Sequence, residues 1–155
     1  MSDWTWELIK AHDSLTEGPV WDGTALFYNE CFANTTYRIN PDSNEVEVWR
    51  TDTGAANGAN FSRDGRLFNC EGAAKRMTEV HGPDDVTIIA TEHEGVPFNA
   101  PNDVAIDNAG RVWFTDPNYG ERPTEMDNES VYRADEVNGS GTTTRVTFDT
   151  TRPNG

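Results

Sequence analysis

The sequence predicts an all-β fold built from short antiparallel strands. Short apolar runs rich in aromatic and β-branched residues recur along the chain, with clusters of turn-forming residues between them. Helical periodicity is nearly absent after the first dozen residues. The 155 residues include five Trp and seven Phe, and single domains commonly have about 100–150 residues. We therefore expect one domain with a buried core.

Nine strands follow from these runs, in chain order. They cover residues 25–28, 36–39, 45–49, 67–70, 86–90, 103–106, 112–115, 131–134 and 143–148. The intervening segments 40–44, 63–65, 81–85 and 107–110 are rich in Asn, Asp, Gly and Pro, which favour tight turns. Residues 120–130 are polar and predict a longer loop.

An internal repeat narrows the all-β prediction to a β-propeller. The segments EGPVWDGTALFYNE, NGANFSRDGRLFNCE and NDVAIDNAGRVWFTD begin at Glu17, Asn57 and Asn102. Each opens with an oxygen-bearing side chain, passes through a turn that contains Gly, and ends an apolar strand in Glu or Asp. The openings lie 40 and 45 residues apart, which matches one four-stranded propeller blade of about 40–50 residues.

The end of the chain repeats the opening once more. Asn154-Gly155 stands 52 residues after Asn102 and reproduces Asn57-Gly58. Residues 1–155 are thus expected to form a partial propeller of about three blades plus the start of a fourth. Propellers close with about four to eight blades. We expect a truncated form of a six-bladed protein about twice as long, inactive and poorly soluble because its strand edges stay unpaired.

Charge excludes two classes of partner. The chain has 27 acidic and 12 basic residues, a net charge of −15 and a pI near 4.3. Such a charge opposes binding to nucleic acid and to anionic membrane surfaces. The amino terminus lacks the apolar run of a signal peptide, and no stretch reaches the roughly 18–20 apolar residues of a membrane span. These features favour a cytoplasmic location.

The cysteines and histidines give no catalytic signal. Cys31 and Cys70 lie in predicted strands, where a free thiol behaves as a small buried hydrophobic group. His12, His81 and His93 lie in polar surroundings and are expected to face solvent.

The repeat openings are candidate ligands for a cation. Equivalent positions on successive inner strands converge on the axis of a propeller, and here they hold Glu17, Asn57, Asn102 and Asn154. A carboxylate with amide oxygens suits Ca²⁺, and less closely Mg²⁺ or Mn²⁺, while the absence of His and Cys disfavours structural zinc. The alternative is that these residues only cap turns.

Four motifs in order together resemble the SMP-30/gluconolactonase/LRE (regucalcin-like) family. They are EGPVW at Glu17, ANG at Ala56 with the following GRL and CE, NAPNDV at Asn99 with WFTDPNYG, and RPNG at the end of the chain. The resemblance covers about residues 15–155 and implies the amino-terminal half of a six-bladed propeller. Members hold one catalytic divalent ion, and many hydrolyse sugar lactones to aldonic acids.

The resemblance assigns roles to individual residues. It implies that Glu17, Asn102 and Asn154 bind one divalent metal ion, with Ca²⁺ favoured and Zn²⁺, Mg²⁺ or Mn²⁺ as alternatives. Asn57 is implied to line the substrate pocket. The fourth ligand, an Asp that is also the general base, is expected beyond Gly155, so no catalytic residue is assigned within the chain.

The third repeat supplies two further candidates. Asp116 and Tyr119 in the FTDPNYG loop are expected to border the substrate pocket, with packing of the loop as the equal alternative. Asp103 directly follows a candidate ligand, but strand alternation turns it away from the channel, which favours a structural role. Some animal members have an Arg where this chain has Ala100, so sugar contacts inferred from them do not transfer.

The resemblance thus implies a hydrolase that acts on the carboxylic ester of a sugar lactone, with the chain holding only part of the site. Two alternatives remain. The first is a related metal-dependent esterase or phosphotriesterase, and the second is a non-catalytic calcium-binding propeller.

Overall fold

The computed structural model describes residues 4–120, 125–135, 142–148 and 150–155. Three antiparallel sheets, each of four strands in chain order, account for most of these residues. The first sheet contains β1 (Thr16–Trp21), β2 (Leu26–Glu30), β3 (Thr35–Ile39) and β4 (Val46–Thr51). The second contains β5 (Ala56–Phe61), β6 (Leu67–Glu71), β7 (Arg76–Gly82) and β8 (Asp85–Ala90).

A short hairpin separates the second sheet from the third. It consists of β9 (Glu92–His93) and β10 (Val96–Pro97). The third sheet contains β11 (Val104–Ile106), β12 (Val112–Asp116), β13 (Ser130–Ala134) and β14 (Thr143–Arg145). β1 packs along β5, and β5 packs against β11, so the first strands of successive sheets are neighbours. This arrangement is part of a β-propeller and confirms the predicted fold class.

An Asp side chain organises the turn between the first two strands in the first and third sheets, and Ser62 stands at the corresponding place in the second. Asp22 Oδ1 accepts hydrogen bonds from the backbone N–H of Thr24 and Ala25, and Asp107 Oδ1 accepts from Ala109 and Arg111. The adjoining glycines Gly23, Gly65 and Gly110 have φ of 101°, 85° and 79°. Glycine adopts this left-handed region without steric cost, which explains why the repeat keeps a Gly there.

The predicted strands omit β1, β5, β7 and the two short strands β9 and β10, and the prediction is wrong for these segments. β1 and β5 contain Gly18, Pro19 and Gly58, and these residues break the apolar alternation that signals a strand. β7 extends to Gly82, so the turn that follows is only Pro83-Asp84 rather than 81–85.

The main apolar core lies between the second and third sheets. Phe98, Phe114 and Tyr132 have ring centroids 5.1–5.8 Å apart, and all three side chains are fully buried. Met77 and Val112 belong to the same cluster. Burial of one large apolar side chain contributes about 1.5–3 kcal/mol, so this cluster is a major source of stability.

A buried ion network joins the first two sheets. The Glu71 carboxylate, fully buried, accepts hydrogen bonds from Arg50 at 2.8 Å, Arg76 at 2.6 Å and Thr78 at 3.1 Å. Arg50 lies on the outer strand of the first sheet and Glu71 on the second strand of the next. The network therefore fixes the two sheets against each other.

His12 anchors the segment that precedes β1. Its Nδ1 lies 2.7 Å from Glu30 Oε2 and its Nε2 lies 2.7 Å from the Tyr28 hydroxyl. The side chain is only 8% exposed, so the expectation that His12 faces solvent is wrong. The polar neighbours in sequence did not reveal that Glu30 and Tyr28 would enclose the ring. His81, by contrast, is exposed as expected.

The state of the two cysteines and the presence of membrane-spanning helices can also be read from the structure. Cys31 and Cys70 are free, buried thiols, as the sequence predicts. Within the described ranges, no helix combines the length and the apolar character that a membrane crossing requires.

Candidate functional site

A cavity of about 540 Å³, which we call the hub cavity, lies where the first strands of the sheets come together. Its polar lining includes all four repeat openings, Glu17, Asn57, Asn102 and Asn154, together with Tyr119. Glu17 is on β1 and Asn57 on β5, while Asn102 lies two residues before β11. The structure therefore brings together residues that are 137 positions apart in the chain.

β-Bulges place the first two of these side chains. The register of β1 with β2 shifts between Glu17 and Val20, and that of β5 with β6 shifts between Ala56 and Ala59. At each bulge two residues oppose one on the partner strand, which bends the strand and redirects a side chain. Glu17 borders the first bulge and Asn57 lies within the second.

The glycines that follow the first two openings, Gly18 and Gly58, permit close contact between neighbouring inner strands. A Cβ at Gly18, whose φ is 58°, would lie 2.8 Å from the backbone nitrogen of Ala59. A Cβ at Gly58 would lie 2.6 Å from Cα of Asp103 and 2.7 Å from the carbonyl oxygen of Asn102. A larger residue at either position would clash with this backbone and force the inner strands apart.

Backbone hydrogen bonds hold the openings at this spacing. The Asn29 side chain, which accepts a bond from Thr36 Oγ1, donates from Nδ2 to the carbonyl oxygen of Asn57 at 2.7 Å. The N–H of Gly58 donates to the carbonyl oxygen of Asn102 at 2.7 Å. Hydrogen bonds between neighbouring sheets thus fix the backbone that carries Asn57 and Asn102.

The side-chain oxygens in the hub cavity are available to a ligand. Within the described part of the chain, no hydrogen bond involves the side chain of Glu17 or Asn102. Asn154 donates from Nδ2 to the Tyr119 hydroxyl at 2.8 Å, which leaves its Oδ1 to accept or to coordinate. The structure thus provides one carboxylate and two amide oxygens.

This donor set fits a hard divalent cation. Ca²⁺ takes carboxylate, amide and water oxygens in flexible geometry. Among the described residues, no group of three or more His, Cys, Asp and Glu side chains is arranged to hold a metal ion. Coordination by Glu17, Asn102 and Asn154 would therefore depend on two amide oxygens beside the single carboxylate.

Asp116 is not among the residues that line the hub cavity. It binds the backbone of a segment that does. Its fully buried carboxylate accepts hydrogen bonds from the backbone N–H of Asn99 and Ala100 at 2.9 and 2.8 Å. Burial raises the pKa of Asp116 to about 6, against the lowering effect of these bonds. Asp116 thereby fixes the segment that carries Pro101 and Asn102 into the cavity.

The apolar part of the lining was not predicted from the sequence. Leu15, Cys31, Phe32, Gly72 and Ala73 border the hub cavity, and none of them was a candidate site residue. The repeat contained a signal for four of them, because Cys31-Phe32 and Gly72-Ala73 directly follow the residues that end the first two repeats, Glu30 and Glu71. Equivalent repeat positions therefore line the same cavity.

The Cys31 thiol is not a nucleophile in this setting. Burial, assisted by the nearby Glu17 carboxylate, raises the pKa of Cys31 to about 11. The thiolate is the reactive form, so the thiol remains protonated at neutral pH and acts as an apolar part of the wall.

Comparison with known proteins agrees with this architecture. A gluconolactonase from Zymomonas mobilis is 27% identical over 174 residues, covering 96% of this chain and 47% of that protein. A gluconolactonase structure from Xanthomonas campestris superposes with a TM-score of 0.82 at 25% identity, over 95% of this chain and 52% of that one. Virginiamycin B lyase from Staphylococcus aureus shares the fold alone, with a TM-score of 0.67 at 16% identity over 92% and 45%.

The chain spans about half the length of these relatives. The sequence model of the SMP-30/Gluconolactonase/LRE-like region matches residues 15–155, which agrees with the extent of the resemblance in the sequence. The chain therefore belongs to the SMP-30/gluconolactonase/LRE-like family.

Proposed function

We propose that the chain forms part of a metal-dependent lactonase that hydrolyses a sugar lactone to the aldonic acid. The observation that carries the proposal is the convergence of Glu17, Asn102 and Asn154 on one cavity with free oxygens. The relatives from Zymomonas mobilis and Xanthomonas campestris are both named gluconolactonases, which supports a lactone as the substrate.

In this proposal Glu17, Asn102 and Asn154 hold one divalent cation, with Ca²⁺ the best match to the oxygen donors. A bound cation supplies Lewis-acid stabilisation of the negative charge that develops on the lactone carbonyl oxygen. Glu17 neutralises part of the cation's charge and is committed to that role. Asn57 and the Tyr119 hydroxyl face the same space and can form hydrogen bonds with the substrate.

Hydrolysis also needs a base that removes a proton from the attacking water. Glu17 is the only carboxylate among the described residues that line the hub cavity, and it is assigned to the cation. We therefore place the general base on an Asp outside these 155 residues, and we propose that the chain alone is inactive. This agrees with a chain that spans about half the length of its relatives.

The proposal is tested by the hydrolysis of glucono-1,5-lactone by the complete gene product. We expect acceleration in the presence of Ca²⁺, loss of the acceleration with a chelator and recovery when the ion is restored. A preparation that binds Ca²⁺ but accelerates no aldonolactone would overturn the proposal in favour of a calcium-binding propeller. Metal-dependent turnover of phosphotriesters alone would favour the esterase alternative.

A further inference from the structure

The lining of the hub cavity contains more apolar side chains than the proposed chemistry uses. Leu15, Phe32, Ala55, Ala73, Ala100 and Pro101 share the cavity with the polar residues described above. Phe32 is 76% exposed and Leu15 is 49% exposed. Small-molecule cavities are commonly apolar with a few convergent polar groups, so this wall is suited to a ligand.

Leu15 and Phe32 are held as neighbours by the backbone. The N–H of Cys31, which directly precedes Phe32, donates to the carbonyl oxygen of Leu15 at 3.0 Å. Phe32 lies in the turn between β2 and β3, and Leu15 directly precedes β1. Both side chains therefore belong to one rim of the cavity, on the same sheet that contributes Glu17.

The polar groups that remain for a substrate are few. If Glu17, Asn102 and Asn154 bind a cation, Asn57 and Tyr119 are the amide and hydroxyl side chains that remain for a substrate. The described lining residues include no Lys, Arg or His. The side chains of Leu15, Phe32 and Ala73 offer no hydrogen-bonding group, so a hydrocarbon substituent loses no hydrogen bond to the protein when it lies against this part of the wall.

We infer that Leu15, Phe32 and Ala73 form a subsite for the alkyl substituent of a lactone, so that alkyl-substituted lactones are a second class of substrate. The inference rests on the proposed lactone hydrolysis and adds a specificity to it. In the reaction, the oxygen of water bonds to the carbonyl carbon, the acyl carbon–oxygen bond of the ring breaks, and the ring oxygen leaves as a hydroxyl group. The product is a hydroxy acid, which releases its proton at neutral pH.

A series of δ-lactones tests the subsite because ring and carbonyl stay constant while the substituent grows. The series runs from δ-valerolactone through δ-hexalactone and δ-octalactone to δ-decalactone, and proton release by the complete, Ca²⁺-loaded gene product is followed with a pH indicator. Burial of each methylene corresponds to about a three- to fourfold gain in affinity. We expect kcat/KM to rise by about this factor per methylene.

Two variants locate the effect. Phe32→Ala and Leu15→Ala should flatten the dependence of kcat/KM on chain length. The readout is the ratio of kcat/KM for δ-decalactone to kcat/KM for δ-valerolactone, because a general loss of activity cancels in this ratio. Phe148→Ala is the matched control, because Phe148 is also exposed but borders a different cavity. It should leave the dependence on chain length unchanged.

The outcomes separate the subsite from the proposed function. If kcat/KM is independent of chain length while glucono-1,5-lactone is hydrolysed, the subsite is refuted and the lactonase stands. If no lactone is hydrolysed, the proposed function fails, and the corresponding alkyl δ-lactams then test the subsite by calorimetric binding. Lactam affinity that rises with chain length and falls in Phe32→Ala supports the subsite, and affinity independent of chain length overturns it.

Discussion

The backbone N–H of Gly58 donates to the carbonyl oxygen of Asn102 across 2.7 Å, joining the inner strand of the second sheet to the segment that enters the third. This short link brings Asn57 and Asn102 to one cavity. It depends on the absence of a side chain at position 58, where a Cβ would lie 2.6 Å from Cα of Asp103.

Gly58→Ala should therefore destabilise the protein and disturb the site. Overpacking of a tight contact typically costs about 1–3 kcal/mol, and we expect a loss of this size in urea unfolding. Gly82→Ala is the matched control, because a Cβ there would meet no atom within 4 Å and Gly82 does not have a positive φ. Equal stability of the two variants would show that the inner strands do not need this close approach.

Removal of the one carboxylate in the donor set should weaken cation binding. Glu17→Gln keeps the shape of the side chain but removes its charge, and we expect the Kd for Ca²⁺ to rise at least about tenfold, or ~1.4 kcal/mol. Isothermal titration calorimetry on the complete gene product measures this change. Glu7→Gln, in the exposed amino-terminal segment, is the control, and an unchanged affinity in Glu17→Gln would rule out Glu17 as a ligand.

The repeat made the location of the site predictable from the sequence. Glu17, Asn57 and Asn102 open equivalent repeats, and such positions must converge if the repeats are blades around one axis. The strands that carry Glu17 and Asn57 were not predictable from apolar alternation, because Gly, Pro and a bulge interrupt it. The glycines and bulges that place Glu17 and Asn57 at the hub cavity also conceal these strands from a search for apolar alternation.

Contacts between distant segments were not predictable in this way. His12 was expected to face solvent, but the fold encloses it with Glu30 and Tyr28, which lie 18 and 16 residues away. Asp116 was a candidate for the pocket border, and the structure places it beneath the segment that leads to Asn102. Side-chain direction across sheets depends on register and twist, and a single sequence does not specify them.

The buried network around Glu71 should be a strong contributor to stability. Arg50→Met leaves the Glu71 carboxylate with one cation fewer in a site without solvent, and loss of one partner of a buried pair typically costs about 3–5 kcal/mol. Urea unfolding measures the loss. The exposed pair of Arg38 and Glu47 provides the comparison, because Glu47→Gln should cost less than about 1 kcal/mol.

An equal, small effect of both variants would indicate that solvent reaches the network. A large loss in Arg50→Met alone would show that the buried Glu71 carboxylate needs Arg50 as a partner for its charge.

The raised pKa of Asp116 predicts a specific dependence of stability on pH. Its ordinary value is 3.8 and its value in the folded protein is about 6, so between these pH values the folded state binds more protons than the unfolded state. The free energy of unfolding must then fall as pH rises through this window. The folded and unfolded pKa values differ by about two units, which corresponds to a total change of about 3 kcal/mol in the free energy of unfolding.

Asp116→Asn removes this titration, so the quantity to measure is the difference in unfolding free energy between the parent protein and the variant at each pH. Subtraction is necessary because the pKa of Glu30 is lowered, chiefly by its hydrogen bond with His12, and its contribution is lost as pH falls. We expect the difference to decline by about 2–3 kcal/mol between pH 4 and 7. Asp84→Asn, at an exposed turn, should give a flat difference. A flat difference for Asp116→Asn would mean that folding does not raise the pKa of this carboxyl.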